Sequence, residues 1–383
     1  MNGCIDAARE VGMASRLIVF CAAALVVAAG FVALRPADAG EVPLSGYKVL
    51  APIHSGNLTV FPVVAAKTHA TNEFLTLDEG LRSGEVVVTE SGMLRGLQRR
   101  PHTGVRPSVW HERGDDAQVN RLVLVNNSKR PLLLLAGEIV TGGKQDRVIG
   151  KDRIVPAESD PIDLGVFCVE PGRWVATSEK FGNFDTAMAS PKVRAGAMAD
   201  KNQQKVWDEV RSSQHEMAAV LGRLPAPSPE AQEIGRTSSY ARVMQNSEVK
   251  KQVDSVAAPI EHEYASVIRQ LKDQNAVGVV VAVNGELIWA DVFASPQLLE
   301  KYWPKLVRSY AADAVVTRTL KRKLTVDAAQ DFLDQLEGRR EVSESEPGLF
   351  RQTEISGDGY RVFELTSLLP KTGFDLHIAK MAE

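Results

Sequence analysis

Apolar residues recur along this chain with three different spacings, and each spacing points to a different kind of element. Near the start, Leu17 to Leu34 is an unbroken run of apolar and small residues. From residue 41 onward the runs shorten. Asn57 to Val64 and Glu85 to Thr89 read as strands. Between them, Thr76-Leu77-Asp78-Glu79 has the form of a capping box opening a short helix that Gly84 ends. Residues 90–118, rich in Arg, Gly and Pro, read as loop with a short strand around Val109.

A dense β region follows. Val119 to Val125 is a predicted strand, Pro131 to Val140 the longest one, and Ile162 to Val169 closes the set. Val148-Ile149 and Ile154-Val155 flank a Gly150-Lys151-Asp152 turn. Short strands separated by Gly and Asn turns imply antiparallel pairing. Residues 175–199 read as loop. The period then becomes helical: Val206, Val210, Met217, Leu221 and Leu224 share one face after a cap at Asp200. A second stripe runs from Val249 through Val253, Ile260 and Tyr264 to Leu271, with a kink expected at Pro259.

Asn284-Gly285, set between the apolar alternations 277–283 and 286–293, is a type I′ hairpin signal. Ser295-Pro296 caps a helix carrying Leu298, Leu299, Tyr302, Leu306, Val307 and Tyr310; a further helix covers 327–336. Strands are expected at 349–355, 360–366 and 374–379, and hinges at the Pro225, Pro227, Pro229 cluster and the acidic stretch 341–346. The pattern sums to an α+β protein. A large antiparallel, sandwich-like β assembly carries a helical middle and a late helix pair packed against it. Residues 40–320 form its main domain, and the 321–383 tail packs on the same domain.

The first apolar run changes the picture of the N-terminus. Arg9 and Arg16 precede it, Pro36 ends it, and Ala37-Asp38-Ala39 has the small-x-small form that signal peptidase requires. Residues 1–39 are therefore expected to be a signal peptide and the mature chain periplasmic or extracellular, with no stable membrane span after cleavage. The alternative is an N-terminal anchor, since the run approaches spanning length. Met13 is an alternative start to Met1, because Met13-Ala14-Ser15-Arg16 is a more ordinary n-region than the longer leader. The leader holds equal numbers of acidic and basic residues, so the mature chain keeps the formal net charge of −3. Nothing in that balance favours nucleic acid. Of three cysteines only Cys168 outlasts cleavage, so no intramolecular disulfide forms. It sits in a strand-like apolar run and is expected to be a buried, inert thiol.

Candidate chemistry concentrates in Gly142-Gly143-Lys144-Gln145-Asp146-Arg147 and in Glu170-Pro171-Gly172-Arg173-Trp174. Backbone amides freed by Gly142 and Gly143 can form an anion-binding nest, to which Lys144, Gln145 and Arg147 add donors. If the intervening strands pair, Arg173 and Trp174 become the second wall of the same site. The structural alternative is a buried ion network in which Glu138 and Glu170 neutralise Arg147 and Arg173. A catalytic alternative makes Glu138 and Glu170 an acid–base pair of a hydrolase acting on a glycosidic or phosphate bond. A third reading is an envelope interaction module with no small ligand.

Gly137 to Lys144 is not a P-loop: the Lys falls one residue late, and no Ser or Thr follows it. The seven histidines show no metal-ligand spacing, no Gly-x-Ser-x-Gly elbow exists, and nothing in the sequence calls for a cofactor or a metal. Asn57-x-Thr59 and Asn126-x-Ser128 match the glycosylation sequon.

These motifs resemble a family named for its association with ADP-ribosylglycohydrolases and rhodanese–phosphatase proteins. The resemblance rests on Leu75 to Leu81 and Val88-Thr89-Glu90, on Ala136-Gly137-Glu138 with Gly142 to Arg147, and on Cys168-Val169-Glu170 with Gly172-Arg173-Trp174. It continues in Val292-Phe293-Ala294-Ser295-Pro296 and spans roughly residues 45–315. In that family the loop Gln is usually followed by Asn-Arg; here Asp146 takes the place of the Asn. The resemblance brings no assigned activity. It implies a link to ADP-ribose-like or other phosphorylated nucleoside ligands.

N-terminal sequencing of the exported protein is expected to begin at Gly40. A membrane-bound product that still carries residues 17–34 is the outcome expected of an anchor instead.

Overall fold

The structure, a computed structural model, describes residues 46–91, 121–224, 229–271, 274–318, 323–346 and 348–383. The expected strand around Val109 and the residues Pro225 and Pro227 lie outside them. Several local signals produce the elements they predict. Thr76 caps the helix Leu77–Ser83 and forms a reciprocal capping box with Glu79, and Gly84 ends the helix at φ 75°. Asn284 and Gly285 both take positive φ, 56° and 74°, and join the strands Asn275–Val283 and Glu286–Phe293. Ser295 caps the helix Pro296–Val316, with its hydroxyl accepting from the Leu298 amide.

The protein is α+β, and the strands among the described residues divide among three sheets. The largest has nine strands, all antiparallel. Its path runs Tyr47–Val49, Leu58–Ala65, Asn275–Val283, Glu286–Phe293, Asp375–Ala382, Tyr360–Ser367, Phe350–Gly357 and Arg339–Glu346, with Ile53–Ser55 beside the second strand. Every residue of Leu58–Ala65 is buried, because helices cover both faces of the sheet there. On one face Val60, Val64, Val279 and Val281 meet the helices Ser247–Gln270 and Pro296–Val316. On the other, Phe61, Val280, Val292 and Val362 meet Ala329 and Leu333 of the helix Val326–Asp334. The tail strands thus belong to the same sheet as the N-terminal ones.

The second assembly is a closed six-stranded barrel, ordered Ile162–Cys168, Arg121–Asn126, Val86–Glu90, Lys180–Met188, Glu138–Thr141, Arg147–Ile149 and back to the first. Val88, Leu122, Leu124, Val140, Ile149 and Val166 are among the side chains that fill it. A three-stranded sheet, Arg153–Val155, Leu132–Leu134 and Leu75–Thr76, stands beside it.

The structure departs from the sequence expectation at several places, each for a physical reason. The single strand over Pro131–Val140 is two, Leu132–Leu134 and Glu138–Thr141, which serve different sheets. The chain turns at Gly137, where φ is +96° and a side chain would overlap the stem of Arg194. Residues 175–199 contain the strand Lys180–Met188 and the helix Pro191–Met198. That strand, with Gly182 and Asn183 in it, is held by partners on both sides as the barrel closes, so tertiary pairing overrides weak propensity. Arg339–Glu346 is no hinge but the edge strand of the large sheet, where charge is the usual protection of an open edge. Asn202 replaces Asp200 as the helix cap, and the helix Ser247–Gln270 runs on through Pro259. Both sequon asparagines are buried: Asn57 Nδ2 donates to the carbonyls of Ala314 and Thr317, and Asn126 Nδ2 to those of Arg130 and Pro156.

Gly137→Ala combines a disfavoured φ with a clash against a buried arginine. It is expected to cost on the order of 3 kcal/mol in a urea unfolding titration.

Candidate functional site

The turn that joins Glu138–Thr141 to Arg147–Ile149 brings most of the sequence-predicted residues together. Register makes this so: Cys168 pairs with Arg147, and the segment after Cys168 therefore emerges beside the turn. Lys144 Nζ lies 5.2 Å from the centre of the Trp174 ring. Arg173 reaches across to donate from Nη1 to the carbonyls of Gly143 (2.9 Å) and Val175 (2.8 Å). Its Nη2 pairs with Glu170 Oε2 and lies 3.5 Å from Asp146 Oδ1. Gln145 Nε2 donates to the Glu170 carbonyl at 3.1 Å.

The glycine amides form the expected nest, and the protein's own acceptors fill it. Gly142 N–H donates to Asp146 Oδ1 (3.1 Å), Gly143 N–H to Ser178 Oγ (3.3 Å) and Lys144 N–H to Glu90 Oε1 (2.9 Å). A side chain at Gly142 would overlap Ser178, and one at Gly143 the ring of Phe181, so the two glycines let the turn press against the neighbouring strand. Asp146 Oδ2 accepts from Ser239 Oγ at 2.7 Å. The carboxylate that stands where an amide is usual therefore works as an internal clasp. Its pKa is raised, chiefly by burial.

Arg147 is different. Val140, Arg147 and Cys168 are register partners on three successive barrel strands, so their side chains share one face. Val140 belongs to the barrel interior, and Arg147 therefore points inward as well. It is completely buried, yet among the described residues only Nη1 finds an acceptor, the Asp146 carbonyl at 3.4 Å, while Nε and Nη2 have none. Burial lowers its pKa, and nearby Cys168, Glu90 and Asp146 pull the other way. Two buried acceptors, Gln145 Oε1 on the turn and Oε2 of Glu90, the residue that accepts from the Lys144 amide, also have no partner among the described residues. Cys168 is a buried thiol whose pKa is raised by burial and whose Sγ accepts from the Glu170 amide, an inert environment.

Glu138 and Glu170 sit in separate clusters. Glu138 Oε1 meets Lys305 Nζ at 2.5 Å, and its Oε2 accepts from the Leu135 amide at 2.7 Å. Lys305 also binds Asp78 at 2.7 Å. Glu170 is engaged with Arg173 and with the Asp146 amide. The two carboxylates share none of these partners.

The model of one family, described as the ARG and Rhodanese-Phosphatase-superfamily-associated Protein domain, matches residues 46–377. The chain belongs to that family. The match runs past residue 315, where the sequence resemblance stopped, into the tail strands of the large sheet. No curated protein and no solved structure matches the chain. Among the described residues no group of His, Cys, Asp and Glu is arranged to hold a metal, and no helix is long and apolar enough to cross a membrane.

Within this family fold lies a charged network that the sequence reading missed. Arg194 donates from Nη1 and Nη2 to the two oxygens of Asp291, each at 3.0 Å. His377 Nε2 is 3.0 Å from Asp291 Oδ1, and its Nδ1 is 2.5 Å from Asp152 Oδ2. The Tyr310 hydroxyl donates to Asp291 Oδ2, and the Ala136 amide to Asp152 Oδ1. All five side chains are buried, and the Arg194 guanidinium lies 4.4 Å from the Trp289 ring centre. With a carboxylate at each ring nitrogen, both nitrogens donate and His377 is an imidazolium. The one signal in the sequence was an aspartate inside an apolar strand, Asp291 between Ala290 and Val292.

Burial opposes the charge on His377, but Asp152 and Asp291 override it and lift its pKa to about 9. Its stabilising contribution is full below the unfolded pKa, near 6.5, and is lost as pH rises through 9. Between pH 7 and 8, above the Glu364 transition near 7 and below that of Lys380 near 8, stability should fall by about 1 kcal/mol per pH unit. His377→Gln should flatten that slope and, at pH 6, cost on the order of 3 to 5 kcal/mol in urea unfolding.

Proposed function

We propose that this protein is a binding module for a small anionic ligand of the phosphorylated nucleoside or ADP-ribose-like class, gripped at the barrel turn with Arg147 as the principal cation. The observation that carries this reading is the buried guanidinium whose Nε and Nη2 have no acceptor among the described residues. A buried guanidinium whose N–H groups lack acceptors carries a desolvation cost that the nearby Glu90 and Asp146 only partly offset, and an anion bound against it removes the remainder. A phosphate oxygen suits a guanidinium fork in particular. The unpaired acceptors Gln145 Oε1 and Glu90 Oε2 call for hydrogen-bond donors on the ligand, which hydroxyl-bearing phosphates supply.

Around this centre the other residues have supporting roles. Gly142 and Gly143 shape the turn, Lys144 adds charge beside the half-exposed Trp174, and Arg173 fixes the turn by binding its carbonyls. The leader at residues 1–39 supports a setting in the cell envelope. The acid–base reading of Glu138 and Glu170 gains no support, since each is already spent on a cation.

The test is a thermal-shift comparison of the wild type and Arg147→Met with inorganic phosphate, AMP and ADP-ribose. Without ligand, Arg147→Met should be as stable as the wild type or more so, by about 1 to 3 kcal/mol, because an unpaired buried charge has been removed. With ligand, only the wild type should gain stability. If none of the three raises the wild-type Tm, or if Arg147→Met responds equally, the module does not bind anions here.

A further inference from the structure

A cleft of about 430 Å³ opens where the Gly150-Lys151-Asp152 turn faces the end strands of the large sheet. That volume falls in the range of small-molecule sites. The turn side supplies Lys151, the last residue of the helix Pro191–Met198 supplies Met198, and the segment after that helix supplies Lys201. The sheet side supplies Glu341, Glu354 and Phe363. Register puts these three on one face, since Glu341 pairs with Glu354 and Glu354 with Phe363. Glu364 and Thr353, one position along, present their side chains to the opposite face. Glu364 accordingly interacts with Asp375 and Arg340.

Among the described residues, the charged side chains that face this cleft are paired, with Lys151 as the exception. Lys201, held at the unusual φ of +50°, binds Glu354 at 2.7 Å, and Arg361 stands 3.6 Å from the same carboxylate. Glu341 is paired with Arg339, and Arg153 with Glu346. Lys151 has no hydrogen-bond or ion-pair partner among the described residues, although it is half-buried and lines the cleft. Burial and the nearby Arg153 and Lys201 make its charge costly, and Glu346, itself bound to Arg153, offsets this only in part. Close by, Met198 and Phe363 provide apolar surface.

We infer that this cleft is a second ligand site, for an organic monocarboxylate whose carboxylate pairs with Lys151 and whose hydrocarbon body rests on Met198 and Phe363. A single unpaired ammonium balances one negative charge. A dianionic phosphate would bring a second charge toward Glu341 and Glu354, so the lining selects against it. The site is independent of the Arg147 reading, which concerns the interior of the barrel.

The experiment is calorimetric titration of the full chain with hexanoate, benzoate and inorganic phosphate, on the wild type, Lys151→Met and Arg147→Met. The carboxylates should bind the wild type and Arg147→Met alike, and Lys151→Met at least about tenfold more weakly. Phosphate should show no dependence on Lys151. Acetylation footprinting read by mass spectrometry supplies a second measure: Lys151 should be modified in the free protein and protected by the carboxylate. The inference is overturned if neither carboxylate binds the wild type, if Lys151→Met binds as tightly, or if phosphate alone depends on Lys151.

Discussion

The contact on which the two β assemblies depend is the double hydrogen bond between Arg194 and Asp291. Asp291 belongs to the large sheet, Arg194 to a helix that follows the barrel's last strand, and neither touches water. His377 extends the link to a second strand of the sheet, and Asp152 carries it to the turn beside the barrel. Two cations and two carboxylates cancel, which makes their burial tolerable; the loss of any one leaves an uncompensated charge. The motif glycine at 137 follows from the same contact, because the arginine stem passes where its side chain would be.

Such a network fixes geometry more than it adds net stability, since a well-packed apolar substitute can equal a buried ion set in free energy. Its value is directional. Both carboxylate oxygens of Asp291 and both ring nitrogens of His377 accept only one arrangement of helix, turn and sheet. The start of the strand Glu138–Thr141, where Arg194 passes Gly137, and the Lys151-Asp152 turn are thereby held on rigid supports.

Legibility in the sequence followed the range of the interaction. The Thr76–Glu79 box, the Asn284-Gly285 turn and the Ser295-Pro296 cap are settled within a few residues, and their elements form where the pattern placed them. The strand Lys180–Met188 owes its form to partners some forty to ninety positions away, and the edge strand Arg339–Glu346 buries too little to show an apolar period. The candidate turn was legible as a cluster because pairing of Cys168 with Arg147 draws its halves together. What spacing alone could not reveal was which cation stays unpaired: Arg173 is engaged by Glu170, and Arg147 is not. The Asp152–His377–Asp291 set joins positions more than eighty residues apart and carries no motif.

The order of strands in the large sheet also governs when it can be completed. Leu58–Ala65 pairs with Asn275–Val283, and Glu286–Phe293 takes Asp375–Ala382 as its other neighbour. The middle of the sheet therefore stays open until nearly the whole polypeptide has been made. The barrel, whose strands all lie between residues 86 and 188, has its full set of partners far earlier, so the two assemblies become complete at different points along the chain.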